Sequence, residues 1–99
     1  MQDPILSFGL EPRSEAERAY LEAAFEDGDP ALIAAVIGDI ARARGMTQIA
    51  KDAGLTRDTM YKAFRREGNP TLETLTSVLK ALGLKLAAVQ SSVIYAVLA

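Results

Sequence analysis

Apolar residues recur at helical spacing along most of this chain, and small or cap-forming residues cut the pattern into five stretches. The first is predicted over 14–27. Ser14-Glu15-Ala16-Glu17 has the Ser-x-x-Glu form of a capping box, Ala16, Ala19, Tyr20, Ala23 and Ala24 recur along one side with Phe25 at its edge, and Gly28 closes the element. Asp29-Pro30 opens the second, an N-cap followed by a proline whose missing N–H costs nothing in a first turn. Leu32, Ile33, Val36, Ile37 and Ile40 form its broad apolar stripe, Arg42 and Arg44 sit where the helix dipole favours cations, and Gly45 is a natural stop. A short helix is expected from Thr47 to Ala53, ended by Gly54, and another runs from its cap Thr56 to about Arg65 or Arg66. After the turn Gly68-Asn69-Pro70, Thr71 caps a fifth helix through Leu82, with Leu72, Leu75, Val78, Leu79 and Leu82 facing inward and Gly83 closing it.

Beyond Gly83 the period changes to two. Leu84, Leu86 and Ala88 alternate with Lys85 and Ala87, which predicts a strand over 84–90, and Val93-Ile94-Tyr95 predicts a second over 92–98. Residues 1–13, with two prolines and a glycine, read as an extended lead-in. The expected fold is mainly α: one domain of five helices over 14–83, then a C-terminal strand or hairpin over 84–99.

Composition narrows the chemistry. Among 99 residues there is neither a cysteine nor a histidine, while 49% are apolar. Disulfides, thiolate metal sites, the commonest zinc ligands and both Cys–His and Ser–His nucleophile systems are thereby excluded. No catalytic constellation, metal site or cofactor motif emerges, so a non-enzyme is expected. Met1-Gln-Asp-Pro does not open a signal peptide, and the apolar tail from Leu84 is broken by Lys85, Gln90, Ser91 and Ser92 and is shorter than the roughly 20 residues of a membrane helix. A cytoplasmic location is expected.

The net charge of −2 hides an uneven distribution. Residues 1–29 hold eight acids against two arginines, whereas 40–66 hold Arg42, Arg44, Lys51, Arg57, Lys62, Arg65 and Arg66 against Asp52 and Asp58. An acidic front and a basic centre imply two surfaces with different partners.

The basic centre contains the most informative pattern, Met46-Thr-Gln-Ile-Ala-Lys-Asp-Ala-Gly-Leu-Thr-Arg-Asp-Thr-Met-Tyr-Lys-Ala-Phe-Arg65. Two short helices that cross steeply need a small residue on the first, supplied by Ala50, and a turn residue tolerant of positive φ, supplied by Gly54. They also need apolar inward positions, here Ile49, Ala53, Leu55, Met60 and Ala63. These requirements are those of a helix-turn-helix.

The stretch from Ser14 to Ala88 resembles the HigA-like addiction-module antidote proteins, antitoxins with an XRE-type (lambda-repressor-like) helix-turn-helix. The phrases that carry the resemblance are Gly28-Asp-Pro-Ala-Leu-Ile, Gly38-Asp-Ile-Ala-Arg-Ala-Arg-Gly-Met-Thr-Gln-Ile-Ala, Gly54-Leu-Thr-Arg, Tyr61-Lys-Ala, Gly68-Asn-Pro-Thr and Leu79-Lys-Ala-Leu-Gly-Leu-Lys-Leu. The tail 89–99 runs beyond the family pattern. The resemblance implies a lambda-repressor-like fold, a toxin partner of the RelE/ParE type, and homodimers that repress their own operon. A prophage-type repressor with no toxin is the alternative; a protein-interaction module that has lost DNA binding is a third.

In a helix-turn-helix the second helix enters the major groove of double-stranded operator DNA. Its outward residues here, the base-reading candidates, are Thr56, Arg57, Asp58, Tyr61 and Lys62, with Arg57 the best match to the O6/N7 edge of guanine. Phosphate-binding candidates are Thr47, Gln48, Lys62, Arg65 and Arg66. Two readings stay open for several of them. Thr56 is first a cap, Asp58 can serve only to offset Arg57 or favour the helix start, and Tyr61 can pack on Ile49 or Leu72 instead of facing DNA. Phe64 reads as core. On the acidic first helix, Glu15, Glu22 and Glu26 are candidates for binding a basic toxin, against the alternative of a solvated face. The tail residues Val93, Ile94, Val97 and Leu98 read as a strand that pairs across a dimer axis, against a disordered end.

Overall fold

The computed structural model of the chain describes residues 12–90. Among these there are five α-helices and no strand: α1 (Pro12–Asp27), α2 (Pro30–Arg44), α3 (Met46–Ala53), α4 (Arg57–Ala63) and α5 (Leu72–Ala81).

Most boundaries follow from the local chemistry. The Asp29 carboxylate accepts from the Ala31 N–H at 3.0 Å and Pro30 takes the first turn of α2. Gly45 ends α2 at φ +113°, and Gly54 ends α3 in the left-handed region at φ +74°, donating back to Ala50 and Lys51. Thr56 caps α4 by accepting from the Thr59 N–H at 3.0 Å, and Thr71 caps α5 in the same way through Thr74 at 3.1 Å.

Two boundaries differ from expectation. α1 begins at Pro12, so Ser14 lies inside the first turn rather than ahead of it; Glu17, its expected box partner, pairs with Arg44 at 2.8 Å. α4 stops at Ala63 because Phe64 leaves the helical conformation (φ −113°, ψ 51°) with its ring wholly buried. Arg65 and Arg66 therefore lie on the bend that follows, not on the helix.

α2 is the hub of the packing. It touches α1, α3 and α4, while α5 packs on α3. Val36, Ile37 and Ile40 from α2, Met60 and Phe64 from the α4 region, and Val78 and Leu79 from α5 are buried, with Ile49 and Ala50 of α3 between them. Ala53, Leu55 and Ala63 are partly buried against the same core, so every inward position expected of α3 and α4 does face inward. Gly38 permits the tightest approach: a Cβ there would collide with the backbone carbonyl of Phe64.

Two burial expectations and one strand expectation fail. On α1, among the residues whose burial is described, only Leu21 and Ala24 are buried, whereas Ala16, Ala19, Tyr20, Ala23 and Phe25 are exposed. Apolar residues fall all round this helix, and because α2 is the one described helix it packs on, a narrow stripe suffices. Leu72 is 68% exposed, since it stands in the first turn of α5, ahead of the residues that reach the core. The alternation of Leu84, Leu86 and Ala88 does not make a strand: a ladder needs a bonded neighbouring backbone, and no described segment forms one with 84–90. Leu84 instead turns back, its N–H donating to the Leu79 carbonyl at 2.8 Å. The expected strand over 92–98 and nearly all of the expected lead-in over 1–13 lie outside the described residues.

α1 is fastened to α2 by polar contacts as well. Arg44 pairs with Glu17, and the Tyr20 hydroxyl donates to Asp39 Oδ2 at 3.2 Å while Arg42 pairs with Asp39 Oδ1 at 2.7 Å. The hydrogen bond to the Asp39 carboxylate raises the Tyr20 phenol above its ordinary value. No helix among the described residues is long and apolar enough to cross a membrane.

Candidate nucleic-acid interface

α3 and α4 are joined by the three residues Gly54-Leu55-Thr56. The left-handed Gly54 and the bond from the Leu55 N–H to the Ala50 carbonyl (2.8 Å) reverse the chain within that space. Burial of Met60 and partial burial of Ala63 fix which side of α4 faces the core. Arg57, Asp58, Tyr61 and Lys62 are thereby left exposed.

The outward side of α4 carries two contacts of i, i+4 spacing. The Arg57 guanidinium lies 5.6 Å from the Tyr61 ring centroid and donates to the Tyr61 hydroxyl at 3.3 Å. Beside it, Lys62 Nζ meets Asp58 Oδ2 at 3.1 Å. Thus Asp58 offsets Lys62 rather than Arg57, and Tyr61 stays exposed on the α4 surface with Arg57 over its ring. Thr56 uses its hydroxyl within the cap, accepting from the Thr59 N–H and donating to Thr59 Oγ1 at 2.9 Å.

Beside α4 an open groove of about 570 Å³ is lined by Arg57 and Tyr61 on one side and by Arg42, Gly45, Met46, Thr47 and Gln48 on the other. It brings together residues assigned from sequence to two separate roles. No side chain caps α3, whose first turn lies along this groove, so its leading N–H groups carry the positive end of the helix dipole there. Gln48 is turned onto Asp52 at 2.8 Å. Arg65 and Arg66 are exposed on the bend after α4 and have no ion pair among the described residues, but they do not line the groove.

Arg42 is the groove residue that sequence reasoning missed. It was legible only as a cation suited to the end of α2, and its place beside Thr47 and Arg57 depends on how α2 turns into α3 at Gly45. Among the described residues no three carboxylates gather as a metal site.

The acidic candidates lie elsewhere. Glu15, Glu22 and Glu26 are all exposed on one face of α1, opposite Leu21 and Ala24, with Glu22 held by Arg18 at 3.0 Å.

Comparison with known proteins identifies the family. Residues 10–90 match the family described as probable addiction module antidote protein. The chain belongs to that family. A relative from Haemophilus influenzae, described as an uncharacterized protein, is 47% identical over 79 residues, which cover 79% of this chain and 81% of the relative. No solved structure matches the chain. This antidote has five helices among its described residues, and an antidote implies a toxin as its partner.

Proposed function

We propose that this antidote is a sequence-specific DNA-binding antitoxin that acts as a homodimer in the cytoplasm, represses its own operon, and neutralises a toxin of the RelE/ParE type. One observation carries the DNA-binding half: the exposed side of α4 and the uncapped start of α3 border a single groove, with Arg57 and Tyr61 facing Thr47 and Gln48 across it. In this reading α3 and α4 are a lambda-repressor-like helix-turn-helix. α4 enters the major groove with Arg57 on a guanine edge, Asp58, Tyr61 and Thr56 beside it, and Lys62 serving both base edge and phosphate. Thr47, Gln48 and the start of α3 take a backbone phosphate, and Arg65 and Arg66 take others from the following bend.

Titration of the protein against its own promoter DNA by fluorescence anisotropy tests this. Arg57→Ala should cost about 1–3 kcal/mol and relax preference at one base pair, whereas Lys62→Ala should, through its phosphate contact, weaken binding to every sequence and flatten the salt dependence, with any further loss at the preferred site reporting its base contact. If neither substitution alters binding, α4 is not the reading helix.

The toxin half is supported by the family and by the acidic face of α1. Glu15, Glu22 and Glu26 offer a negative stripe to a toxin whose surface, if it cleaves RNA as the resemblance implies, is basic. Reversal of all three to lysine should abolish toxin capture on co-expression and leave promoter binding intact. The exposed Leu86 and Val89, 38% and 87% accessible, lead toward the apolar tail, and we assign self-association to this end of the chain. A prophage-type repressor without a toxin fits the same DNA surface, but the antidote family favours the antitoxin.

A further inference from the structure

We infer that Tyr61 is a positioning residue for Arg57: its ring orders the guanidinium on the surface of α4 without cancelling the charge. The inference rests on the DNA reading proposed above and assigns Tyr61 a part within it.

An arginine on an exposed helix has many rotamers, and each must be given up before its fork can meet a base edge. Something that holds the side chain in advance removes part of that cost. A carboxylate could do so, and the neighbouring cations are held that way: Lys62 by Asp58 at 3.1 Å and Arg42 by Asp39 at 2.7 Å. Those pairs neutralise the cation, so a DNA phosphate or base must first displace the partner. Arg57 is held differently. Its central carbon stands 5.6 Å from the Tyr61 ring centroid and one terminal nitrogen donates to the Tyr61 hydroxyl at 3.3 Å. The ring face attracts the cation through its quadrupole and carries no net charge. Arg57 therefore keeps its full positive charge, and of its five N–H donors only one is engaged, which leaves enough for a bidentate contact.

The alternative role for Tyr61 is direct contact with DNA, and a double-substitution cycle separates the two. Discrimination between the preferred promoter site and a site altered at the Arg57 base pair is measured for the unsubstituted protein, Y61F, Y61L, R57A and the double variant R57A/Y61L. Tyr61 is exposed, so Y61L should fold, with its helical circular dichroism and melting as the control. Y61L should lose about two- to fivefold in discrimination, Y61F should stay within about twofold, and Y61L should cost nothing further once Arg57 is alanine. Losses that multiply in the double variant, or discrimination undiminished in Y61L, overturn the inference. A second measurement needs no DNA: the Arg57 Nε–Hε resonance should be displaced by the ring in the unsubstituted protein and in Y61F and return toward a free-arginine position in Y61L. A resonance indifferent to Y61L also overturns it. Absence of any sequence preference in the unsubstituted protein overturns the DNA reading and this role together, and is distinguishable because the stacking would still register in that resonance.

Discussion

The backbone carbonyl of Phe64 occupies the space that a side chain on Gly38 would need. One residue lies in the middle of α2 and the other just past the end of α4, so the absence of a single carbon sets how closely the two elements meet. The collision would be with backbone and not with the far end of a flexible side chain. The helices would have to part.

Gly38→Ala is therefore expected to destabilise the protein, although alanine is intrinsically the better helix former by about 1 kcal/mol. Overpacking of this kind costs about 1–3 kcal/mol, which corresponds to roughly 4–8 °C in Tm for each kcal/mol in a domain of this size. A thermal melt decides it, and an unchanged or raised Tm would remove the close approach as a constraint on the fold.

Asp58→Asn should separate stability from binding. The Asp58–Lys62 pair is well exposed, so it contributes only about 0.3–0.5 kcal/mol, and an acid near the start of α4 adds a similar small amount through the helix dipole. Its loss frees Lys62 for phosphate. Urea unfolding should show a slight drop in stability while anisotropy shows tighter binding to all DNA sequences, with the salt dependence steeper by about one counterion. Unchanged or weaker binding to non-specific DNA would refute the release of Lys62, while a loss confined to the preferred site would measure the base contact proposed for Asp58.

The fastening of α1 can be loosened without touching the rest. Glu17 and Arg44 form a partly buried pair, with side chains 13% and 30% exposed, and among the described helices α1 packs on α2 alone. Arg44→Met is expected to lower stability by about 1 kcal/mol and to accelerate amide hydrogen exchange selectively in α1. Acceleration spread evenly over all five helices would show that α1 opens only with the whole domain.

Tyr20 supplies a pH signature. Its hydroxyl donates to Asp39, which raises the phenol above its ordinary value of about 10. A group whose pKa is higher in the folded state stabilises fully below the unfolded value and loses that contribution as pH rises through the folded one. The bond is thus intact at neutral pH and fades in the alkaline range above the ordinary tyrosine value. Ultraviolet titration of tyrosinate should resolve one late-titrating tyrosine that moves earlier in Asp39→Asn, and identical curves for the two proteins would refute the assignment.

Much of this architecture was legible along the chain because its signals are local. Asp29, Thr56 and Thr71 cap the helices they were expected to cap, and Gly45 and Gly54 end the helices they were expected to end. The core of α2 follows from its own periodicity. The misreadings share a different cause. Leu72, the apolar residues of α1, and the alternation after Gly83 have the right composition for burial or a strand, but whether a partner surface exists is decided by distant packing. The helical run through Arg66 was cut short by the burial of Phe64, and Gly38 gave no sign of its role because the group that crowds it lies twenty-six residues along the chain. At the candidate interface the four-residue spacings of Arg57–Tyr61 and Asp58–Lys62 were visible, yet which of Tyr61 and Lys62 would take which partner was not.

Among the described helices α1 touches α2 alone, so a molecule gripping its acidic side would act on α4 through α2, by way of α3 or directly. That route ends at a rigid stop, the Phe64 backbone lodged against Gly38. Any shift that presses α2 toward α4 would meet that contact, because no empty space is left between them to absorb it.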